Sequence, residues 1–242
     1  MIRVFVAAHD PNREGKDITR HRHKDPITMH ASEFLPLFIQ FRDRSVVIIG
    51  GGSVGERKAE LFCKYARTIV VSFEFTERLL ELREIERVTT DRDLTDEEIT
   101  DLVKGAFLVI PATDDSAYNE RISTIASRNK ALVNRVDDLG DVIIPSVITR
   151  GDITIGISTL ANSPALSRYI REQIEGVITP EYAEMARLQN EVREYLKGVV
   201  PDQKMRQQIL RAILDDEAVW ALLAESYEKA YEEAKTHYET VL

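Results

Sequence analysis

The run Ser45-Val-Val-Ile-Ile-Gly50-Gly51-Gly52-Ser53-Val54-Gly55-Glu56-Arg57-Lys58 constrains this chain more than any other stretch. An apolar, β-branched strand pattern ends in Gly-x-Gly-x-x-Gly and passes directly into a helical pattern. Gly50 lets the chain turn sharply off the strand. Gly52 lets the backbone approach a pyrophosphate without a side chain in the way, and Gly55 lets the new helix pack close to the sheet. The helix start then offers N–H groups and a partial positive charge to phosphates. With its strand before it and its helix after it, the motif predicts a dinucleotide site, and Ser53 and Val54 are expected in its phosphate turn.

The pattern from 45 to about 148 alternates between strands and helices. Strands are expected at 46–49, 68–72, 88–89, 107–112, 131–136 and 142–148, and helices at 54–65, 76–86, 96–103 and 118–128. Thr95 followed by Glu98 predicts a capping box on the third helix. Such alternation gives an α/β fold, a parallel sheet covered by helices, with ligands at the carboxyl ends of the strands. Phe73 and Glu74 follow the second strand, where an acid that reads the ribose belongs. A carboxylate there accepts a 2′-OH and repels a 2′-phosphate, favouring NAD over NADP. Thr113 and Asp114 end the fourth strand beside the cofactor crevice, or else cap the helix that follows.

Beyond 150 the character changes. Residues 151–158 alternate like a further strand. Ser163-Pro164 and Thr179-Pro180 each signal a helix start, and helices are expected over 201–214 and 216–240. Met185, Leu188, Tyr195 and Trp220 are the expected core of this helical piece. The division expected is 1–33 as an N-terminal extension, 34–146 as a Rossmann-like domain, 147–178 as a connecting segment and 179–242 as a helical domain. The polar extension holds His9, His21, His23 and His30 and carries no fixed metal-ligand spacing.

With 242 residues and 43% hydrophobic content the chain can bury a real core. A formal net charge of −9 argues against nucleic acid as a partner, since phosphate backbones demand basic surfaces. No apolar run approaches the roughly 18 residues of a membrane span, and no leader is recognisable. Cys63, the single cysteine, excludes an internal disulfide and reads as an inert core thiol. The cytoplasm is the expected location.

Six motifs occur in order: Leu35-Pro-Leu-Phe38, the 50–58 glycine run, Ala112-Thr-Asp-Asp115, Asn134-Arg-Val-Asp-Asp138, Ile144-Pro-Ser146 and Ser163-Pro-Ala-Leu166. Together they resemble the precorrin-2 dehydrogenase/sirohydrochlorin ferrochelatase family, strongly over 34–178 and loosely over the helical C-terminus. The resemblance implies an NAD-binding Rossmann-like domain, a homodimer formed through 147–178, and NAD+-dependent oxidation of precorrin-2 to sirohydrochlorin. In some members Fe2+ is then inserted as a substrate.

The aspartate implicated in the family's chemistry matches Asp137, which a turn-capping role would also explain. Asn134, Arg135, Ser163 and Arg168 are the candidate contacts to a polycarboxylate tetrapyrrole, with Arg150 and Arg171 as further cations. Two positions depart from the family pattern. Arg135 stands where an apolar residue is more usual, and Leu160-Ala161-Asn162 replaces a glycine-rich turn. No histidine lies between His30 and His237, so a core histidine is not the expected metal ligand or base. A different Rossmann oxidoreductase, or a binding module that uses NAD without chemistry, are the alternative readings.

Overall fold

The computed structural model describes residues 34–136 and 139–239. The N-terminal extension with its four histidines, Asp137, Asp138 and residues 240–242 lie outside the described residues. Five strands form one sheet in the order β3-β2-β1-β4-β5, every pair parallel. They are β1 (Ser45–Ile49), β2 (Arg67–Ser72), β3 (Ile85–Thr89), β4 (Leu108–Pro111) and β5 (Leu132–Val133). β1 lies at the centre, and the chain winds first to one side of it and then to the other. This reversal opens a crevice outside the carboxyl ends of β1 and β4.

Strand period 2 divides the core between two faces. Val46 and Ile48 join Val70, Leu108 and Ile110 against Ala59 and Phe62 of α1 (Ser53–Phe62) and Leu79 of α2 (Glu77–Glu81). Val47 and Ile49 join Val71 and Val109 against Ile99 and Val103 of α3 (Asp96–Val103) and Ile122 and Ala126 of α4 (Ser116–Arg128). Burial on both faces explains why β1 and β4 read as unbroken apolar runs.

The expected helix over 76–86 stops at Glu81, and its end becomes edge strand β3. Only Ile85 of β3 is buried, and Arg67 of β2 grips Glu86 through two bonds of 2.6 and 2.7 Å. Pairing with β2 overrides the helical preference of Glu, Arg and Leu. The sixth strand expected over 142–148 does not join the parallel sheet. Pro145 has no N–H for a ladder, and pairing begins after it. β6 (Ser146–Arg150) forms an antiparallel hairpin with β7 (Ile153–Ile157), closed by Gly151 at φ +54° and Asp152.

α5 (Pro164–Glu175) follows, capped by Ser163 with Pro164 in the first turn as expected. α6 (Glu181–Val199), α7 (Gln203–Leu214), α8 (Glu217–Leu223) and α9 (Tyr227–Glu239) share a core that includes Met185, Leu188, Val192, Leu196, Ile213 and Tyr238. Three corrections arise here. Thr179 is not the cap of α6, because Pro180 occupies that place in helical conformation without a side-chain bond. The helix expected over 216–240 breaks at 224–226, where the Ser226 hydroxyl accepts the Lys229 N–H. Tyr195 is 47% exposed and so is not core, whereas Met185 and Leu188 are buried.

Candidate functional site

β1 delivers the chain into a turn that only glycine can make. Gly50 has φ +128°, and a Cβ on it would stand 2.2 Å from the Ala112 carbonyl oxygen. Gly51 lies against the end of β2. Its N–H donates to Ser72 Oγ at 2.9 Å, and a Cβ would meet the Glu74 carbonyl at 2.2 Å. Gly55 seats α1 on the sheet, since a Cβ there would approach the Gly50 carbonyl to 2.0 Å. Gly52 differs from these three. It is exposed, and a Cβ on it would have nothing within 4 Å. It is also the N-cap of α1 and supplies no side-chain bond to the first-turn N–H groups. A Gly52 Cβ would therefore fill a cradle rather than strike the protein. An open position at an uncapped helix start fits a pyrophosphate.

The cradle opens on a cavity of about 670 Å³ along the carboxyl ends of β1, β2 and β4. Gly50, Gly52, Phe73, Glu74, Thr113 and Asp114 all line it, so six of the nine cofactor candidates are brought to one place. Ser53, Val54 and Gly55 stand instead in the first turn of α1, and none of the three lines the cavity. Phe73 is 51% exposed, presenting its ring at the rim.

The alternative role of Thr113 and Asp114 as helix caps falls to the next residue. Asp115 accepts the Ala117 and Tyr118 N–H groups at 2.8 and 3.1 Å and caps α4. Thr113 is tied instead to buried Asn119, whose Oδ1 accepts its hydroxyl at 2.7 Å and whose Nδ2 donates to its carbonyl at 2.9 Å. Asp114 remains exposed on the cavity wall.

Several lining residues escaped sequence reasoning. Ser72 fixes the glycine turn. Tyr118 is 7% exposed, its hydroxyl accepts the Leu94 N–H at 2.9 Å, and burial pushes its pKa up. Asp93 reaches the wall from the loop after β3. The alternation signal places only strand ends, so residues from a loop or from inside a helix turn carried no mark. Among the described residues, Glu74, Asp93, Asp114 and Asp115 line the cavity while no lysine, arginine or histidine does. The charged side chains that an extra phosphate meets there are all carboxylates.

The substrate candidates lie elsewhere, and none of the four lines this cavity. Asn134 and Arg135 follow β5. Asn134 is 5% exposed; its Nδ2 donates to the Val142 carbonyl at 2.7 Å, and its buried Oδ1 has no hydrogen-bond partner among the described residues. Arg135 pairs with Glu120 at 2.5 Å. Ser163 spends its hydroxyl on the Leu166 N–H at 3.2 Å. Arg168 is exposed and pairs with Glu172 at 3.1 Å. Arg150 and Arg171 converge on Glu175. Near the glycine turn, burial and the neighbouring Arg57 hold the Lys58 ammonium below its ordinary pKa. Cys63 is half-buried with its thiol pKa raised by burial, which suits the inert role expected of it. No helix among the described residues is long and apolar enough to cross a membrane.

A protein-family model described as "Putative NAD(P)-binding" matches residues 37–146, the segment that builds the cradle and the cavity. The precorrin-2 dehydrogenase of Methanosarcina barkeri is 53% identical over 207 residues, covering 84% of this chain and 92% of that protein. The siroheme synthase of Methylococcus capsulatus is 33% identical over 192 residues, and this chain spans only 39% of its length. The solved structure of SirC, a precorrin-2 dehydrogenase, matches with a TM-score of 0.66 at 21% identity, covering 84% of this chain and 100% of that one. That likeness shows the Rossmann-like sheet with its helical C-terminal part.

Proposed function

Because the chain belongs to the precorrin-2 dehydrogenase family, we propose that it oxidises precorrin-2 to sirohydrochlorin with NAD+ as the oxidant. The observation that carries this reading is the open Gly52 cradle at the uncapped start of α1, on a cavity of dinucleotide size. When bound, NAD+ supplies a hydride acceptor. The residues of the chain hold it and handle the proton. Gly50 and Gly52 receive the pyrophosphate, Ser53, Val54 and Gly55 serve it through the first turn of α1, and Phe73, Glu74, Thr113 and Asp114 receive the nucleoside ends. Glu74 accepts a ribose hydroxyl, and the carboxylate wall disfavours NADP+.

Oxidation removes a hydride and a proton from the macrocycle, so a base must stand near the reacting carbon. Asp137, a few residues beyond β5, takes this role in our reading on the strength of the family pattern. Asn134 belongs to the substrate set in this reading, since its Oδ1 is an acceptor without a partner among the described residues that a pyrrole N–H would satisfy once the site opens to it. Arg135, Ser163 and Arg168 complete the substrate set, and the two arginines would exchange Glu120 and Glu172 for its carboxylates. The same Asp137 carboxylate would receive pyrrole protons if Fe2+ is inserted afterwards.

The partner we propose is a second copy of the chain, joined through 147–178, the segment between the Rossmann-like and helical parts. Ile148 and Ile157 of this segment are buried, but Val147, Leu166, Tyr169 and Val177 are exposed and leave apolar surface for a partner. Light scattering should give twice the 27.6 kDa chain mass, and a monomer at micromolar protein would remove this part. The cytoplasm is the proposed location, in keeping with a single unpaired cysteine.

The deciding experiment is an anaerobic assay with precorrin-2 and NAD+, followed by Fe2+, on the wild type, Asp137→Asn and Asp138→Asn. Asp137→Asn should lower the oxidation rate about 10²–10⁴-fold, the usual contribution of a general base, while NAD+ affinity holds. Asp138→Asn should be much milder. Equal loss in both would mean a collapsed turn. Normal turnover by Asp137→Asn would remove the mechanism, and no oxidation by the wild type would remove the function. Metal insertion is read from the second stage.

A further inference from the structure

This acidic chain carries a groove of the opposite character. The groove, about 480 Å³ in volume, runs between α6 and α7, and among the described residues no Asp or Glu lines it. Arg193 and Lys197 reach it from α6, and Arg206 reaches it from α7. Gln189, Gln203 and Gln207 add amides. Its volume lies within the roughly 300–1,000 Å³ of small-molecule sites.

Two contacts fix the ends of this groove. Gln189 Nε2 donates to the Leu210 carbonyl at 3.1 Å, which ties the side chain across the helix pair and leaves its Oε1 unused by that bond. Arg206 Nη1 donates to the Val200 and Pro201 carbonyls at 2.6 and 2.9 Å, where α6 ends. The guanidinium is thus held in place with its Nη2 and Nε donors left for another acceptor. Side chains already locked by backbone bonds lose little entropy when a ligand arrives.

Other arginines of the helical region are neutralised. Arg168, Arg171, Arg187 and Arg211 each pair with a carboxylate four residues on. Arg193 has Lys197 at that position and Gln189 on the preceding turn. Among the described residues no carboxylate comes within 4.0 Å of either Arg193 or Arg206 in an ion pair, and Lys197 alone has one, Glu194 at 2.6 Å. In a chain of net charge −9, two arginines without an ion pair stand on α6 and α7 among amides, although Glu194 lies within electrostatic reach of Arg193.

We propose that the α6–α7 groove binds a small polyanion, a molecule that presents phosphate or several carboxylates within one groove length. This site is separate from the dinucleotide cavity, with which it shares no lining residue. Its test therefore stands apart from that of the dehydrogenase reading. The chain is first saturated with NAD+, so that the glycine cradle is filled. Pyrophosphate and citrate are then titrated separately by calorimetry at low ionic strength.

At least one should bind, with affinity that falls as NaCl rises. Pyrophosphate alone would mark a phosphate ligand and citrate alone a polycarboxylate. Arg193→Gln should weaken binding about tenfold or more, as loss of a charge-assisted bond does. Arg206→Gln should do the same, but it also frees the end of α6. The Arg193 variant therefore carries the test if the other unfolds. Arg211→Gln, a paired arginine outside the groove, should bind like wild type. The proposal is overturned if neither anion binds the wild type, if Arg193→Gln binds as wild type does, or if Arg211→Gln loses as much as Arg193→Gln.

Discussion

Two helix starts in this chain follow a strand and a left-handed turn, and they solve the same problem in opposite ways. At α1 the turn is glycine, with Gly50 at φ +128°, and the N-cap Gly52 gives the first-turn N–H groups no side-chain partner. At α5 the turn is Leu160 at φ +51° and Ala161 at φ +62°, and side chains close everything around it. Ser163 accepts the Leu166 N–H. Thr159 Oγ1 accepts the Ser163 N–H at 3.0 Å, and lies 2.8 Å from the Ser163 carbonyl and 3.0 Å from Ser167 Oγ. An open start keeps its N–H groups for a ligand. A closed start uses its hydrogen bonds to hold a backbone shape that leucine and alanine disfavour. Leu160 and Ala161 thus hold left-handed conformations without glycine.

The sharpest way to break this contrast is at the glycines. Gly55→Ala places a Cβ 2.0 Å from a backbone oxygen, which no rotamer can relieve, and should cost about 3 kcal/mol in denaturant unfolding. Near-normal stability would mean that α1 does not depend on close approach to the sheet. Gly52→Val meets nothing within 4 Å, so its stability should stay within about 1 kcal/mol of wild type. Its NAD+ affinity should fall about 100-fold or more, equivalent to about 2.7 kcal/mol. A variant that binds NAD+ normally would show that the open start is not the pyrophosphate site.

The α5 start gives smaller effects of both signs. Thr159→Val keeps the shape of the side chain and removes its hydrogen bonds, leaving the Ser163 N–H and the buried Ser167 hydroxyl short of a partner. A loss of about 1–2 kcal/mol is expected, with NAD+ affinity unchanged by calorimetry. Ala161→Gly should act the other way. Relief of the left-handed strain, about 1–2 kcal/mol, is partly offset by the added freedom of glycine in the unfolded chain. A net gain of about 0.5 kcal/mol should raise the thermal midpoint. A loss instead would mean that Ala161 packs more than its exposure indicates.

The same contrast explains what could be read from the sequence. Local chemistry was legible: the glycine run marked β1, α1 and the cradle, Ser163-Pro164 marked the start of α5, and Thr95 with Glu98 marked the start of α3. Features decided by distant partners were not. Only the end of β3, at 88–89, was legible; its first residues pair with β2 against a helical pattern. β6 begins after Pro145 and pairs antiparallel with β7 through the tight turn at Gly151 and Asp152, signals present in the sequence but outweighed by the apolar residues around them. Asp93 and Tyr118 stand far beyond Gly50 in the chain and in no periodic relation to it. Only the fold brings the loop after β3 and the first turn of α4 together at the carboxyl ends of the strands.

The smallest effect concerns a third helix start, α3, which is closed by a titratable group. Thr95 Oγ1 accepts the Glu98 N–H at 3.3 Å, and Glu98 Oε2 accepts the Thr95 N–H at 2.8 Å. Arg92 adds bonds of 2.9 and 2.8 Å to the two carboxylate oxygens. Arg92 first, and then the Thr95 bonds, lower the Glu98 pKa from its ordinary 4.5 to about 2. A carboxyl whose folded pKa lies below its unfolded value stabilises the fold above the unfolded pKa, and that contribution fades as pH falls toward the folded one. The cap should therefore hold fully above about pH 5 and weaken progressively down to about pH 2. Denaturant midpoints of wild type and Glu98→Gln should differ near neutrality and converge across this acid window. The start of α1 has no titratable cap, so NAD+ affinity should be the same in both proteins at neutral pH. A gap between the two midpoints that stays constant through the window would mean that the Glu98 charge contributes nothing to closing α3.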